Sequence, residues 1–283
     1  MYLLFSILCS TLIFVIFKAL RKYNINTLQV IALNYIVASL IGVLAFNEPI
    51  TSANTLHASW FLGAVFLGFL FISIFFVMAL TAQKNGVSVA SVASKMSVVI
   101  PIVFGIYVYH ESASFQKITG IVLALVAVYL TSIKGTSEIN LKKNLLLPAV
   151  LFLGSGTIDT SIKYIETTYV PENGIPIFSA TIFGIAAILG VITLMVKKDL
   201  KIIPKALFGG LLLGVVNYGS IYFLLKALDH ELFESSTLFT VNHVGIVMLS
   251  TLVGLFLFKE HLTKKNWFGI TLAIIAIILV TLA

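Results

Sequence analysis

Residues 105–130 read GIYVYHESASFQKITGIVLALVAVYL, and residues 254–279 read GLFLFKEHLTKKNWFGITLAIIAIIL. Slid over each other at an offset of 149, they agree at Gly105/Gly254, Glu111/Glu260, Gly120/Gly269, Ile121/Ile270, Leu123/Leu272, Ala124/Ala273, Ala127/Ala276 and Leu130/Leu279. Most of the other pairs exchange one apolar residue for another. Apolar matches come cheaply in a greasy chain, so the shared Glu-x8-Gly spacing carries the comparison. The likeness extends upstream. At an offset of 148, Phe75/Phe223, Ala79/Ala227, Leu80/Leu228 and Ser88/Ser236 match, and at 145 Ser10, Ile13 and Lys18 fall on Ser155, Ile158 and Lys163. The chain reads as one segment used twice: a first repeat over 1–135, a linker over 136–144 and a second repeat over 145–283.

What the repeated segment is made of follows from composition. Of 283 residues, 59% are hydrophobic and 10% charged, and the mean hydropathy is +1.09. A water-soluble surface on a chain this long needs far more charge. Apolar runs long enough to cross a hydrocarbon core of about 30 Å recur throughout. They predict spans at 2–20, 28–46, 60–80, 87–109, 116–133, 145–165, 176–196, 206–228, 235–258 and 267–282. Turn signals separate them, among them Asn47-Glu48-Pro49, Lys84-Asn85-Gly86, Lys134-Gly135, Glu172-Asn173-Gly174 and Lys197-Lys198-Asp199. Runs of this length and richness in Leu, Ile, Ala and Phe indicate helices and not the alternating strands of a barrel. The fold class is an all-α integral membrane protein with ten transmembrane helices, arranged as two inverted five-helix repeats. Inversion follows because five is odd, so the second repeat enters the membrane from the opposite side.

The net charge of +7 is a topology signal, not a nucleic-acid footprint. Fourteen of the Lys and Arg residues lie in odd-numbered loops, from Lys18, Arg21 and Lys22 to Lys259, Lys264 and Lys265. The even loops hold Lys117, Lys163 and Lys226 at most. The positive-inside rule therefore places the odd loops in the cytoplasm and the termini outside, in a plasma (inner) membrane. The first apolar run lacks a preceding positive charge and a small-residue cleavage site, so it reads as a span and not a signal peptide. The single cysteine, Cys9, excludes an internal disulfide and reads as a small packing residue.

The paired units Pro101…Tyr109-His110-Glu111…Gly120-Ile121 and Phe258-Lys259-Glu260…Trp267-Phe268-Gly269-Ile270 resemble the drug/metabolite transporter superfamily, in its EamA-type ten-helix branch. The resemblance covers essentially the whole chain and marks the fold, not the cargo. It implies secondary transport, with efflux as the default direction. Members export amino acids and other metabolites, carry sugars, or move nucleotide-linked and lipid-linked sugars. The resemblance also implies cytoplasmic termini, opposite to the charge bias.

Candidate chemistry is sparse and can be weighed residue by residue. Glu111 and Glu260 sit just beyond the fourth and ninth spans. There a carboxylate favours free helix N–H groups, so each is expected to bond the start of the following helix, with a gating role as the alternative. Lys95 lies two turns inside the fourth span among Ser91, Ser94 and Ser97. A Lys at such depth costs roughly 2.5–3.5 kcal/mol on insertion scales, so it is expected to face a cavity or a partner, and it suits an anionic or zwitterionic cargo. Snorkelling towards the interface is the plainer reading. Asn242 and His243 lie at matching depth in the ninth span; an offset of 148 sets His243 on Lys95, and an offset of 149 sets Val244 there. Histidine titrates near physiological pH and is a proton-coupling candidate, against the plainer reading of a satisfied interior histidine. Asp159 and Lys163, four apart in the sixth span, read first as an ion pair, with Asp159 as a second proton-coupling candidate if it faces the cavity alone. Asn217, Tyr218 and Tyr222 in the eighth span bond across helices or line the cavity with Lys95, Asn242 and His243. Gly210-x-x-x-Gly214, and Gly63 with Gly68, indicate close helix approach.

No enzyme signature stands out, and no Gly-rich phosphate loop with Lys-Ser/Thr is present to suggest ATP-driven transport. No cofactor or metal is expected. The partners expected are a small-molecule substrate, the bilayer and protons as coupling ion, with no nucleic acid and no obligate protein partner. Transport of a lipid- or nucleotide-linked sugar, or a non-transporting membrane subunit, are the alternatives.

Overall fold

The computed structural model describes residues 1–44, 57–108, 114–132, 141–171, 174–201, 203–228 and 235–282. Every regular element among them is an α-helix. In chain order these are α1 (Tyr2–Lys22), α2 (Thr27–Leu44), α3 (Phe61–Lys84), α4 (Val87–Val108), α5 (Phe115–Ser132), α6 (Leu141–Tyr169), α7 (Ile175–Val196), α8 (Pro204–Leu228), α9 (Ser235–Phe258) and α10 (Lys264–Thr281). Eight of the ten are long and apolar enough to span a membrane; α5 and α10 are the other two. The protein is an all-helical, multi-pass membrane protein. The helix positions follow the hydropathy, with α6 extended at both ends because hydropathy marks only its apolar stretch, Leu145–Ile165.

One expected span departs from a straight helix. α4 is interrupted at residues 97–98, giving Val87–Met96 and Val99–Val108. Pro101 explains the site, because it lacks the N–H that Ser97 C=O would receive and its ring crowds that carbonyl. The gap is closed by the Ile100 N–H donating to Ser97 O at 2.9 Å. The Ser97 hydroxyl donates back to Ser94 O at 2.6 Å, a bond that bends helices.

The helices sort into two compact units whose limits fall inside helices. Unit 1 comprises residues 1–19, 77–157 and 219–283, so it holds most of α1, the end of α3, α4, α5, the start of α6, the end of α8, α9 and α10. Unit 2 comprises 20–76 and 158–218, with α2, α7 and the remaining parts of α1, α3, α6 and α8. Each unit thus draws on residues from both halves of the chain.

In unit 1, α5 and α10 pack along each other. The contact is made by the residues that recur between repeats. Ala124, Ala127, Ala273 and Ala276 are all at most 1% exposed, inside a core with Met96, Val247 and Ile277. A Cβ on Gly269 would stand 2.9 Å from Leu130 Cβ and Thr131 N, and one on Gly120 would meet Val280 and the Ala276 carbonyl. Lipid is as apolar as these side chains, so helix association rests on close approach and interhelical hydrogen bonds. Small residues one turn apart supply the first. Asn266 supplies the second, donating to Leu130 O and Thr131 O at 3.1 and 3.0 Å. The same Asn266 closes a capping box with Thr263 at the start of α10.

In unit 2, α2 packs on α7. Gly190 lies against Ala32 and Ile72, and Gly210 and Gly214 of α8 lie against Leu33 and Val37. Gly63 and Gly68 of α3 meet Ile165 and Ile185. A second core gathers Trp60, Leu67, Phe178 and Ile182.

Candidate functional site

Unit 1 carries a run of polar groups where α4 and α9 cross in opposite directions. At one end Gly254 of α9 sits over the Ser88 side chain of α4. One turn further in, the Ser250 hydroxyl donates to Ser91 Oγ at 2.5 Å, and the Ser91 hydroxyl donates to Ser88 O at 2.9 Å. Both serines are fully buried. Deeper still lie Lys95 of α4 and His243 of α9, both partly buried. Beside His243, Asn242 is 2% exposed, and its Oδ1 is a buried acceptor without a hydrogen-bond partner. A buried polar atom left so is costly unless something else satisfies it. Thr11 Oγ1 on α1 is in the same condition.

The outer end of this run is closed by Glu260. α9 finishes with Lys259 in the left-handed region at φ 51°, and the Glu260 N–H then returns to Gly254 O at 3.0 Å. This bond spans one residue more than the six-to-one bond of a Schellman turn, and it leads the chain back so that the carboxylate reaches α4. Glu260 Oε1 accepts the Val87 N–H at 2.8 Å, and Oε2 accepts from the Ser88 hydroxyl at 3.3 Å. Gly86, at φ 118°, adopts a backbone conformation that side chains rarely take, and a Cβ there would stand 2.9 Å from Glu260 Oε2. From α1, Lys18 Nζ lies 3.4 Å from Glu260 Oε1. The helix that Glu260 holds is therefore α4 and not the following helix, α10, which the sequence reading had named. α10 is capped by its own Thr263, whose hydroxyl accepts the Asn266 N–H.

Unit 2 builds a matching node. α7 ends with Lys198 in the left-handed region at φ 54°, and the next residue, Asp199, turns its carboxylate to α2. It accepts from Gln29 Nε2 at 3.0 Å and from the Asn26 side-chain amide. Asn26 Oδ1 in turn accepts the Leu28 N–H at 3.0 Å, capping α2. Within the helices, the Asn217 amide donates to Asn34 Oδ1 at 3.3 Å, and the Tyr35 hydroxyl donates to Phe71 O at 2.9 Å.

The residues singled out from sequence divide accordingly. Lys95, Asn242, His243 and Tyr222 belong to unit 1, and Asn217, Tyr218, Asp159 and Lys163 to unit 2. Asp159 and Lys163 are both exposed on α6, and Tyr222 is 43% exposed, its ring edge-on to Phe223. Glu111, with Tyr109 and His110, lies outside the described residues, as do Asn47-Glu48-Pro49, Lys134-Gly135, Glu172 and Asn173, residues 136–140 of the expected linker, and the side chain of Glu166. Three contributors escaped the sequence reading: Lys18, which looked like a topology charge only, the Ser91–Ser250 pair, and Asp199. Among the described residues no group of His, Cys, Asp and Glu is placed to hold a metal ion.

Comparison with known proteins agrees with this architecture. An uncharacterized protein of Haemophilus influenzae is 32% identical over 290 residues, covering 97% of this chain and 95% of the relative. A crystal structure at 13% identity matches with a TM-score of 0.56, over 98% of this chain and 97% of that one, a likeness of fold alone. Residues 1–133 match the EamA-like transporter family. That match places residues 1–133 in a family of membrane transporters for small molecules.

Proposed function

We infer that this protein is a secondary transporter that exports a small organic metabolite by alternating access between two inverted repeats, 1–135 and 145–283. The observation that carries the reading is the meeting of α4 and α9, which joins Ser91 to Ser250 and carries Lys95, Asn242 and His243 one to two turns deeper, with the buried Asn242 Oδ1 lacking a hydrogen-bond partner. Lys95 and His243 stand 148 residues apart, the offset that also aligns Ser88 with Ser236, while the offset of 149 that aligns Gly105 with Gly254 sets the neighbouring Val244 on Lys95. In an inverted-repeat carrier, the groups at that meeting lie where substrate binds near the midplane. The Lys95 ammonium supplies a counter-charge for a carboxylate or phosphate, and Asn242 Oδ1 offers an acceptor to an ammonium or hydroxyl. That combination suits a zwitterion such as an amino acid. His243 and Asp159 are the candidates for proton coupling, with exchange as the other driving mode. The odd loops face the cytoplasm of a plasma (inner) membrane by their basic residues.

The test is solute flux in proteoliposomes loaded with a mixed metabolite pool, read by mass spectrometry with and without a pH gradient. Gradient-sensitive loss of a few solutes, weakened in Lys95→Ala and His243→Ala, supports both the activity and the site. Selective flux untouched by either change removes the site. Folded protein that moves no soluble metabolite removes the reading in favour of a lipid-linked cargo or a non-transporting subunit.

A further inference from the structure

We propose that Lys18 is a gating residue, whose bond to Glu260 latches the odd-loop end of the polar run in unit 1. The proposal rests on the transport reading but concerns a different element of it. The Glu260 carboxylate performs two jobs of unequal firmness. Towards α4 it makes a short bond to a backbone N–H, 2.8 Å to Val87. Towards α1 it makes a long one, 3.4 Å to Lys18 Nζ. The other contact of that ammonium, to Gln83 O, is 3.5 Å. The Lys18 side chain keeps 22% of its surface exposed against 10% for Glu260. The backbone bond is thus the fixed part of the node and the ion pair the releasable part.

Unit 2 shows what a purely structural version looks like. Asp199 likewise follows a left-handed lysine, yet its side-chain partners are amides from the foot of α2, the helix it helps to cap. Glu260 differs in recruiting a cation from a third helix. That cation sits at the foot of α1, one residue before the limit of unit 1 at Ala19. Directly behind the pair, Ser88, Ser91 and Ser250 lead inward to Lys95 and His243. Releasing Lys18 frees α1 at the mouth of this run while Glu260 continues to hold α4.

The experiment measures access without any cargo. Cys9→Ser gives a cysteine-free chain, and Ser91→Cys places a reporter just behind the node. Lys84→Cys, exposed beside it, identifies the odd-loop face. A membrane-impermeant, uncharged maleimide is applied to that face of proteoliposomes. Lys18→Gln is expected to speed labelling at position 91 about fivefold, the change in open population when one partly screened ion pair is lost, and Lys18→Arg to leave it near the parent rate. With Lys18 intact, raising salt is expected to speed labelling as well, because a partly exposed pair is screened. A rate unaffected by salt overturns the latch, with no dependence on the folding of a variant. So does a Lys18→Gln rate equal to the parent's, or an equal acceleration in Gln83→Ala, which loosens α1 by breaking its 3.0 Å bond to Phe17 O without touching the ion pair. Failure here with solute flux intact removes the latch alone; absent flux with gated labelling removes the transport reading alone.

Discussion

Glu260 Oε1 accepts the backbone N–H of Val87 at 2.8 Å across 173 residues of chain, so a carboxylate at the end of α9 closes the start of α4. The α4 donors it satisfies belong to residues at most 1% exposed. Water therefore does not replace it when it is removed.

Glu260→Ala should destabilise the protein by about 2–4 kcal/mol, because it orphans a buried N–H and strips Lys18 of its counter-charge. Glu260→Gln retains an acceptor and should recover part of that loss. Thermal unfolding in detergent decides the matter, and an Ala variant melting with the parent would show that the node contributes nothing to stability.

The contact between α5 and α10 makes a second demand. Gly269→Leu must displace Leu130 and Thr131, and Gly120→Leu must displace Val280, since a Cβ alone already crowds them. Overpacking of this kind costs about 1–3 kcal/mol. Leu at the half-buried Thr119 of α5, whose hydroxyl donates within its own helix to Phe115 O, should be neutral. Equal melting temperatures for the glycine and threonine variants would count against the pairing of α5 with α10.

Asn266 concentrates several bonds in one side chain. It accepts the Thr263 N–H at 2.8 Å and donates to two carbonyls of α5. Asn266→Ala should cost about 1–3 kcal/mol as the cap is lost and buried carbonyls lose their donor. Asn266→Asp keeps the cap but not the two donations. Its stability should fall between Ala and parent, and a value at either extreme would assign the whole effect to one kind of bond.

What sequence revealed follows from which interactions are local. Apolar length located ten helices because the bilayer imposes that length on each helix by itself. The recurrence of Gly120, Ala124 and Ala127 as Gly269, Ala273 and Ala276 was visible because the two helices use the same residues against each other. The partner of Glu260 was not visible. A local rule points a carboxylate at the nearest helix start, and only the packing of α9 on α4, with a left-handed Lys259, turns it elsewhere. Lys18 was hidden for a similar reason, since its charge already had a sufficient explanation in topology. The limits of the two units fall inside α1, α3, α6 and α8, where hydropathy is continuous and nothing in composition changes. The break in α4 at Pro101 was not foreseen either, because the apolar run across it reads as one span.

The twin nodes at Asp199 and Glu260 allow a crossed prediction. Each is a carboxylate one residue past a left-handed lysine, and each holds the foot of a helix in its own unit, α2 or α4. Asp199→Ala should loosen the first turn of α2, because Asn26 and Gln29 lose the acceptor that orients them. The α4 turn should stay as it is. Glu260→Ala should do the reverse. Hydrogen exchange by mass spectrometry resolves both turns in one experiment, and opening energies near a helix end fall first when its cap is lost. Exchange is expected to rise about tenfold at the turn whose carboxylate is removed, the effect of a cap contributing roughly 1–2 kcal/mol. Faster exchange at both turns in either variant would mean that the two nodes act as one cooperative element, and the assignment of separate local roles to Asp199 and Glu260 would have to be given up.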